Sequence, residues 1–201
     1  MAYSNITFKD LVTRFGMQLS GTHLLRNFKP IPPSAWLQEA LVRAKKIGFI
    51  NEKERSERIV APVLTELSDL NNNEFIIYSG RDLYVDETLG LNGECDFILS
   101  FGTVLEVVQT PIFAITEAKK EDIDGGTVQC AVQLYAAQML NKSQNTERNT
   151  VYGCTTTGEV WRFLKLQGNQ LILDEDRYYI TQPDQLLGAL QQIIDLCKQD
   201  V

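Results

Sequence analysis

The chain has 201 residues, of which 44% are hydrophobic and 22% charged, values that fit one globular domain and exclude disordered and collagen-like classes. A formal net charge of −7 means that bulk charge does not advertise a nucleic-acid binder. No apolar run reaches the roughly 18–20 residues of a membrane-spanning helix, and "MAYSNITFKDLVTRFG" lacks a basic-then-apolar leader, so a cytoplasmic protein without membrane contact is expected.

In chain order, residues 1–50 read as helical pieces broken at "KPIPPS", where Pro30, Pro32 and Pro33 stop any helix. Ser34 is a suitable N-cap for "AWLQEALVRAKKIG", with Gly48 at its C-terminal end. A second helix is predicted from Asn51 through "NEKERSERIVAPVLTELSDL", with Pro62 kinking it or starting a new segment. Glu57 precedes Val60, Ala61 and Leu64 by three, four and seven residues, so helical phase puts it on the apolar stripe, where a carboxylate needs a partner, a proton or a metal. Strands follow at "EFIIYSG", "CDFILSF" and "IFAITEAK", the last two separated by a connection containing "TVLEVVQTP". The turn "DIDGG" leads to the helix "TVQCAVQLYAAQMLNK", and "VYGCTTTG" is a further strand. More strands run through "EVWRFLKLQGNQLILDEDRYYIT", with Gly168-Asn169 as a two-residue hairpin turn. A final helix carries Leu186, Leu187, Leu190, Ile193, Ile194 and Cys197 on one face. Helix, three strands, helix and strand make an α/β fold with a central mixed sheet. A single domain is expected in three stretches: a helical extension over 1–50, a core over 51–157, and strands plus a helix over 158–201.

The single histidine, His23, excludes a multi-histidine metal site within one chain, and no G-x-S-x-G motif accompanies it. Cys95, Cys130, Cys154 and Cys197 form no C-x-x-C pair and read as small buried residues. Hydrolytic chemistry would therefore rest on carboxylates, lysine and a metal. Strand alternation sends Phe113, Ile115, Glu117 and Lys119 to one face, which turns from apolar to charged at the strand end. Pairing with the preceding strand would bring Asp96 close to Glu117 and Lys119. Two carboxylates suit Mg²⁺, and a lysine beside them can orient a water or stabilise developing negative charge. Arg43, Lys45 and Lys46, then Lys53, Arg55 and Arg58, are candidate phosphate contacts, and the alternative for them is a solvated helix face. Trp36, Trp161, Tyr178 and Tyr179 read as packing residues rather than base-stacking platforms.

The order helix Glu57, then Asp96 in "GECDFIL", Glu117 and Lys119 in "ITEAK", and a helix bearing Gln129 and Gln133 resembles the PD-(D/E)XK nuclease superfamily, including its uncharacterised cyanobacterial members. The resemblance covers residues 51–157, with Cys95 standing where the motif often has proline. It implies a restriction-endonuclease-like fold and hydrolysis of nucleic-acid phosphodiesters with Mg²⁺ or Mn²⁺. Asp96 and Glu117 would be metal ligands, Glu57 an accessory ligand, and Lys119 the group that positions the attacking water. Gln129 or Gln133 would be the site glutamine. The implied partner is a nucleic acid, DNA first, with a homodimer left open. The alternative is an inactive member of the same fold serving as a nucleic-acid- or protein-binding module.

Overall fold

The computed structural model describes Tyr3 and residues 6–102, 105–146 and 148–199. Thr103 and Val104, in the connection between the second and third predicted strands, lie outside the described residues. One mixed sheet runs through the molecule. Its strands are β1 (Gln18–Thr22), β2 (Ile76–Asp82), β3 (Glu94–Ser100), β4 (Ile112–Ala118), β5 (Thr150–Thr156), β6 (Val160–Gln167), β7 (Gln170–Asp174) and β8 (Tyr178–Tyr179). The order across the sheet is β1-β7-β6-β5-β4-β3-β2, and β8 also pairs with β6. The β4–β5 and β1–β7 pairs are parallel, and the others are antiparallel. The parallel β4–β5 pair needs a crossover, and α5 (Ile123–Ser143) supplies it.

Helices cover both faces, as expected of an α/β fold with a central mixed sheet. On one face α1 (Phe8–Thr13) and α5 enclose a core that includes Leu11, Ile98, Ile115, Val132 and Leu164. On the other, α2 (Ala35–Ile47), α4 (Ala61–Leu70) and α6 (Pro183–Gln199) enclose Leu37, Leu64, Phe163, Leu187 and Ile194. All six residues predicted for the inner face of α6 are buried. Each such side chain contributes roughly 1.5–3 kcal/mol on leaving water. Ser34 caps α2 by accepting from Leu37 N, and Gly48 ends it at φ +83°. Gly168 turns the β6–β7 hairpin at φ +57°. All four cysteines are buried, and none of them forms a disulfide. Among the described residues no helix is long and apolar enough to cross a membrane.

Four expectations need correction. The N-terminal region is not purely helical, because Gln18–Thr22 forms the edge strand β1 on β7. Its sequence, QLSGT, is mostly polar and exposed, and its partner lies some 150 residues away, so local pattern could not show it. The "DIDGG" stretch is not a turn before the helix. Asp122 caps α5 by accepting from Gly125 N, and both glycines lie in the first turn. Phe113 does not share a face with Ile115. A register shift between β3 and β4 opposes Leu99 to Ala114 and Ser100 to Ile112, leaving Phe113 as the extra residue of a bulge. Phe113 thus joins the α4–α6 core while Ile115 joins the α5 core.

The fourth correction concerns the helix phase near Glu57. Between α3 (Glu52–Arg55) and α4 the chain makes a π turn over Ser56–Val60, with Ala61 N donating to Ser56 O. Pro62 lies at the start of α4, cannot donate, and would press its ring on the carbonyl four residues back. The wider turn accommodates it and adds a residue to the helical phase. Glu57 is rotated out of the apolar stripe. Its side chain is 61% exposed and faces Lys53 at 3.7 Å.

Trp161 is buried as expected, donating from its indole to Gly158 O, and Tyr178 packs against Phe163. Trp36 is half exposed on α2 and Tyr179 is also exposed, so neither is a core packing residue.

Candidate active site

The site forms at the C-terminal end of β4, and α5 lies along that strand in a way that fixes it. Near the start of β4, Asn141 of α5 accepts from Ile112 N at 2.8 Å and donates to Ile112 O at 2.7 Å. At the other end, Gln133 donates through Nε2 to Glu117 Oε2 at 2.9 Å. In the first turn of α5, Gly126 lies over Lys119: a Cβ there would sit 2.6 Å from both Lys119 Cγ and Thr155 Cγ2. The glycine that sequence assigned to a turn is thus needed for close approach. Gly153 of β5 serves the same purpose further along, where a Cβ would meet Cys130 Sγ at 2.8 Å.

Asp96 and Glu117 approach each other across the β3–β4 pair. The last paired residues there are Phe97 and Thr116, so Ala118 N has no β3 carbonyl to bond. It donates instead to Asp96 Oδ2 at 2.7 Å. Glu117 is only 2% exposed, and its Oε1 accepts from Lys119 Nζ at 2.8 Å. Lys119 Nζ also reaches Glu52 Oε1 of α3 at 3.3 Å, while its backbone N–H donates to Thr156 O at 2.7 Å. The alternation that paired Glu117 with Lys119 on one face therefore describes the strand end. Lys120 points elsewhere and pairs with Glu121 at the surface.

Of the remaining sequence candidates, Gln133 rather than Gln129 reaches Glu117. Glu57 stands on the rim of the cleft, and Glu52 is the helical acid in contact with Lys119. Sequence reasoning missed Glu52 because the π turn between α3 and α4 shifts the phase that relates them. No local signal identifies that turn other than Pro62. His23 takes no part in the site and bonds Asp176 through Nδ1 at 2.9 Å.

Electrostatics single out the carboxylate pair. Burial, and then repulsion from Asp96, raise the Glu117 carboxyl from its ordinary 4.5 to about 7, against the pull of Lys119 and Gln133. Burial also raises Asp96, partly offset by the Ala118 N–H and by Lys119. Burial pulls Lys119 down, but attraction to Glu117, Glu52 and Asp96 outweighs it and the net shift is upward. Burial first, and the Glu117 charge next, push the thiols of Cys95 and Cys130 up, so these neighbours stay protonated.

A cleft of about 320 Å³ opens beside the pair, walled by Asp96, Glu94, Glu52, Glu57 and Lys53. Gly80 also lines it, standing in β2 at φ +58° opposite Asp96, between the Ser79–Phe97 and Arg81–Cys95 pairs. Among the described residues no three His, Cys, Asp or Glu side chains converge into a ready metal cage. The donors present do fit a hard cation held by one or two carboxylates and water. They are all oxygens, Asp96 and Glu117 repel each other, and the cleft wall carries more carboxylates than amines. Gln133 Oε1 is buried without a hydrogen-bond partner among the described residues. No family model matches the chain, and no curated protein matches its sequence.

Proposed function

We propose that the protein is a divalent-metal-dependent nuclease of restriction-endonuclease-like fold. The observation that carries the reading is the meeting of Asp96, Glu117, Lys119 and Gln133 at one strand end, beside an acidic cleft. Asp96 and Glu117 would hold Mg²⁺ or Mn²⁺, with Glu52 or Glu57 as accessory acid. The ion would supply charge neutralisation at a phosphate oxygen and a more acidic water. Lys119, held by Glu117 and Glu52, keeps a positive charge where negative charge develops on the phosphate. Gln133 orients the Glu117 carboxylate from beneath. Purified protein should cleave plasmid or oligonucleotide DNA in Mg²⁺ or Mn²⁺, and both Asp96→Ala and Lys119→Ala should abolish cleavage. Variants that cleave like wild type would sink the assignment.

One observation favours a second reading, a silent binding module of the same layout. Lys119 spends its charge directly on buried Glu117, as a structural ion pair would. Against it, the cleft beside Asp96 is open. The silent module binds nucleic acid and leaves it intact in every divalent metal.

A further inference from the structure

Six of the chain's 19 lysines and arginines, but only three of its 26 acids, fall between Arg43 and Arg58. The three arginines are committed internally. Arg43 pairs with Glu39, Arg55 bonds Glu159 and Thr157 O, and Arg58 bonds Gly48 O and faces Glu54. The three lysines are not. Lys45 and Lys46 sit exposed in the last turn of α2, with no ion pair among the described residues. Lys53 has only the loose 3.7 Å approach to Glu57 between two solvated side chains. The connection between these lysines is pinned rather than free: Arg58 holds Gly48 O, and Ile50 N donates to Glu54 Oε2 at 2.6 Å. The lysine end of α2 is therefore tied to α3 and to the π turn after it, whose Glu52, Lys53 and Glu57 wall the cleft that holds Asp96.

We infer that Lys45, Lys46 and Lys53 form a shoulder that grips the sugar–phosphate backbone of a nucleic acid entering this cleft. Three ammonium groups spread over two helix ends match a row of phosphates better than a single small anion. They also answer a problem raised by the acidic chain, since a polyanion approaching carboxylates needs a local positive field. What the cleft does to the strand rests on the nuclease reading. The grip itself does not.

The test is fluorescence anisotropy of the full-length protein with a labelled duplex of about 20 base pairs, a length that offers a continuous phosphate row. Ca²⁺ is present to neutralise the cleft. Lys45→Ala/Lys46→Ala should bind roughly tenfold or more weakly at moderate salt, with the log–log salt slope shallower by about 1.8. Adding Lys53→Ala should remove about 0.9 more. Lys9→Ala/Lys142→Ala removes the same charge from exposed sites elsewhere and should match wild type. The inference is overturned if the double variant binds like wild type, if the control loses as much, or if wild type does not bind the duplex. Preference for anionic phospholipid vesicles over the duplex also overturns it, because Ile47 and Ile50 are exposed between these lysines and would suit a lipid surface. Cleavage in Mg²⁺ is scored separately. Lysine-dependent binding without cleavage keeps the shoulder and removes the nuclease, and cleavage with unchanged binding in the double variant does the reverse.

Discussion

Glu66 and Glu117 are both buried carboxylates, 4% and 2% exposed, yet the two regions hold them in opposite ways. Glu66 of α4 takes both its bonds from one neutral residue, Ser34, accepting from the backbone N–H at 2.7 Å and from Oγ at 2.6 Å. It ties α4 to the N-terminus of α2, where a negative charge also suits the helix dipole. Glu117 is bonded by an ammonium and an amide and repelled by a second carboxylate, and that second carboxylate lines an open cleft. Burial of an acid therefore does not mark a functional site by itself. A like-charged neighbour and an opening beside it are what distinguish the β4 end from the α2–α4 joint.

If the contrast is right, the two regions fail differently. The largest effect is expected from Lys119→Ala, which should lower cleavage by at least about 10²–10³-fold, measured as the single-turnover rate in Mg²⁺. The protein should remain folded, because Glu117 can take up a proton when its cation is lost. Glu66→Ala should do the opposite. It removes both hydrogen bonds by which the buried carboxylate ties Ser34 to α4 and should cost about 2 kcal/mol, a fall in Tm of roughly 4–8 °C, while leaving the cleavage rate of folded protein intact. A Glu66 variant with normal Tm would erase the comparison.

Gly126→Ala probes how α5 sets the site. The added methyl would crowd Lys119 and Thr155, so activity should fall about tenfold with a destabilisation of about 1–3 kcal/mol. A variant with normal Tm and normal rate would show that α5 does not set the lysine.

The smallest effect concerns pH. Between 4.5 and about 7 the folded chain keeps a proton on Glu117 that the unfolded chain has released, so stability falls as pH rises through that window. Asp96, also raised, acts in the same direction. Glu117→Gln should shrink the loss of Tm between pH 5 and pH 8 by a few degrees, at roughly 2–4 °C per kcal/mol. An unchanged pH profile would mean that Glu117 is ionised throughout and the repulsion from Asp96 is already offset.

Much of this site is legible in sequence because its parts are local. Strand alternation places Glu117 and Lys119 together, and the apolar stripe of α6, the Ser34 cap and the Gly168 turn are each written within a few residues. The acid–lysine pairing needs only the two-residue period of a strand, which holds beyond the Phe113 bulge, from Ile115 to Lys119. Four features depended on tertiary structure. Gln129 and Gln133 lie one turn apart and face nearly the same way, so only the height of α5 along β4 selects Gln133. The bulge at Phe113 shows only in the β3–β4 pairing, where two steps along β4 oppose one along β3. The π turn before Pro62 moves Glu57 out and leaves Glu52 at Lys119, because one extra residue turns a helix face through about 100°. Strand β1 pairs with β7 through backbone bonds that any mostly polar segment could make, so its place was decided by what the rest of the sheet left unpaired. The sequence alone determined which residues could share a face. The packed fold decided which faces meet, because phase shifts and long-range pairing are settled by the space between elements rather than by the residues within one.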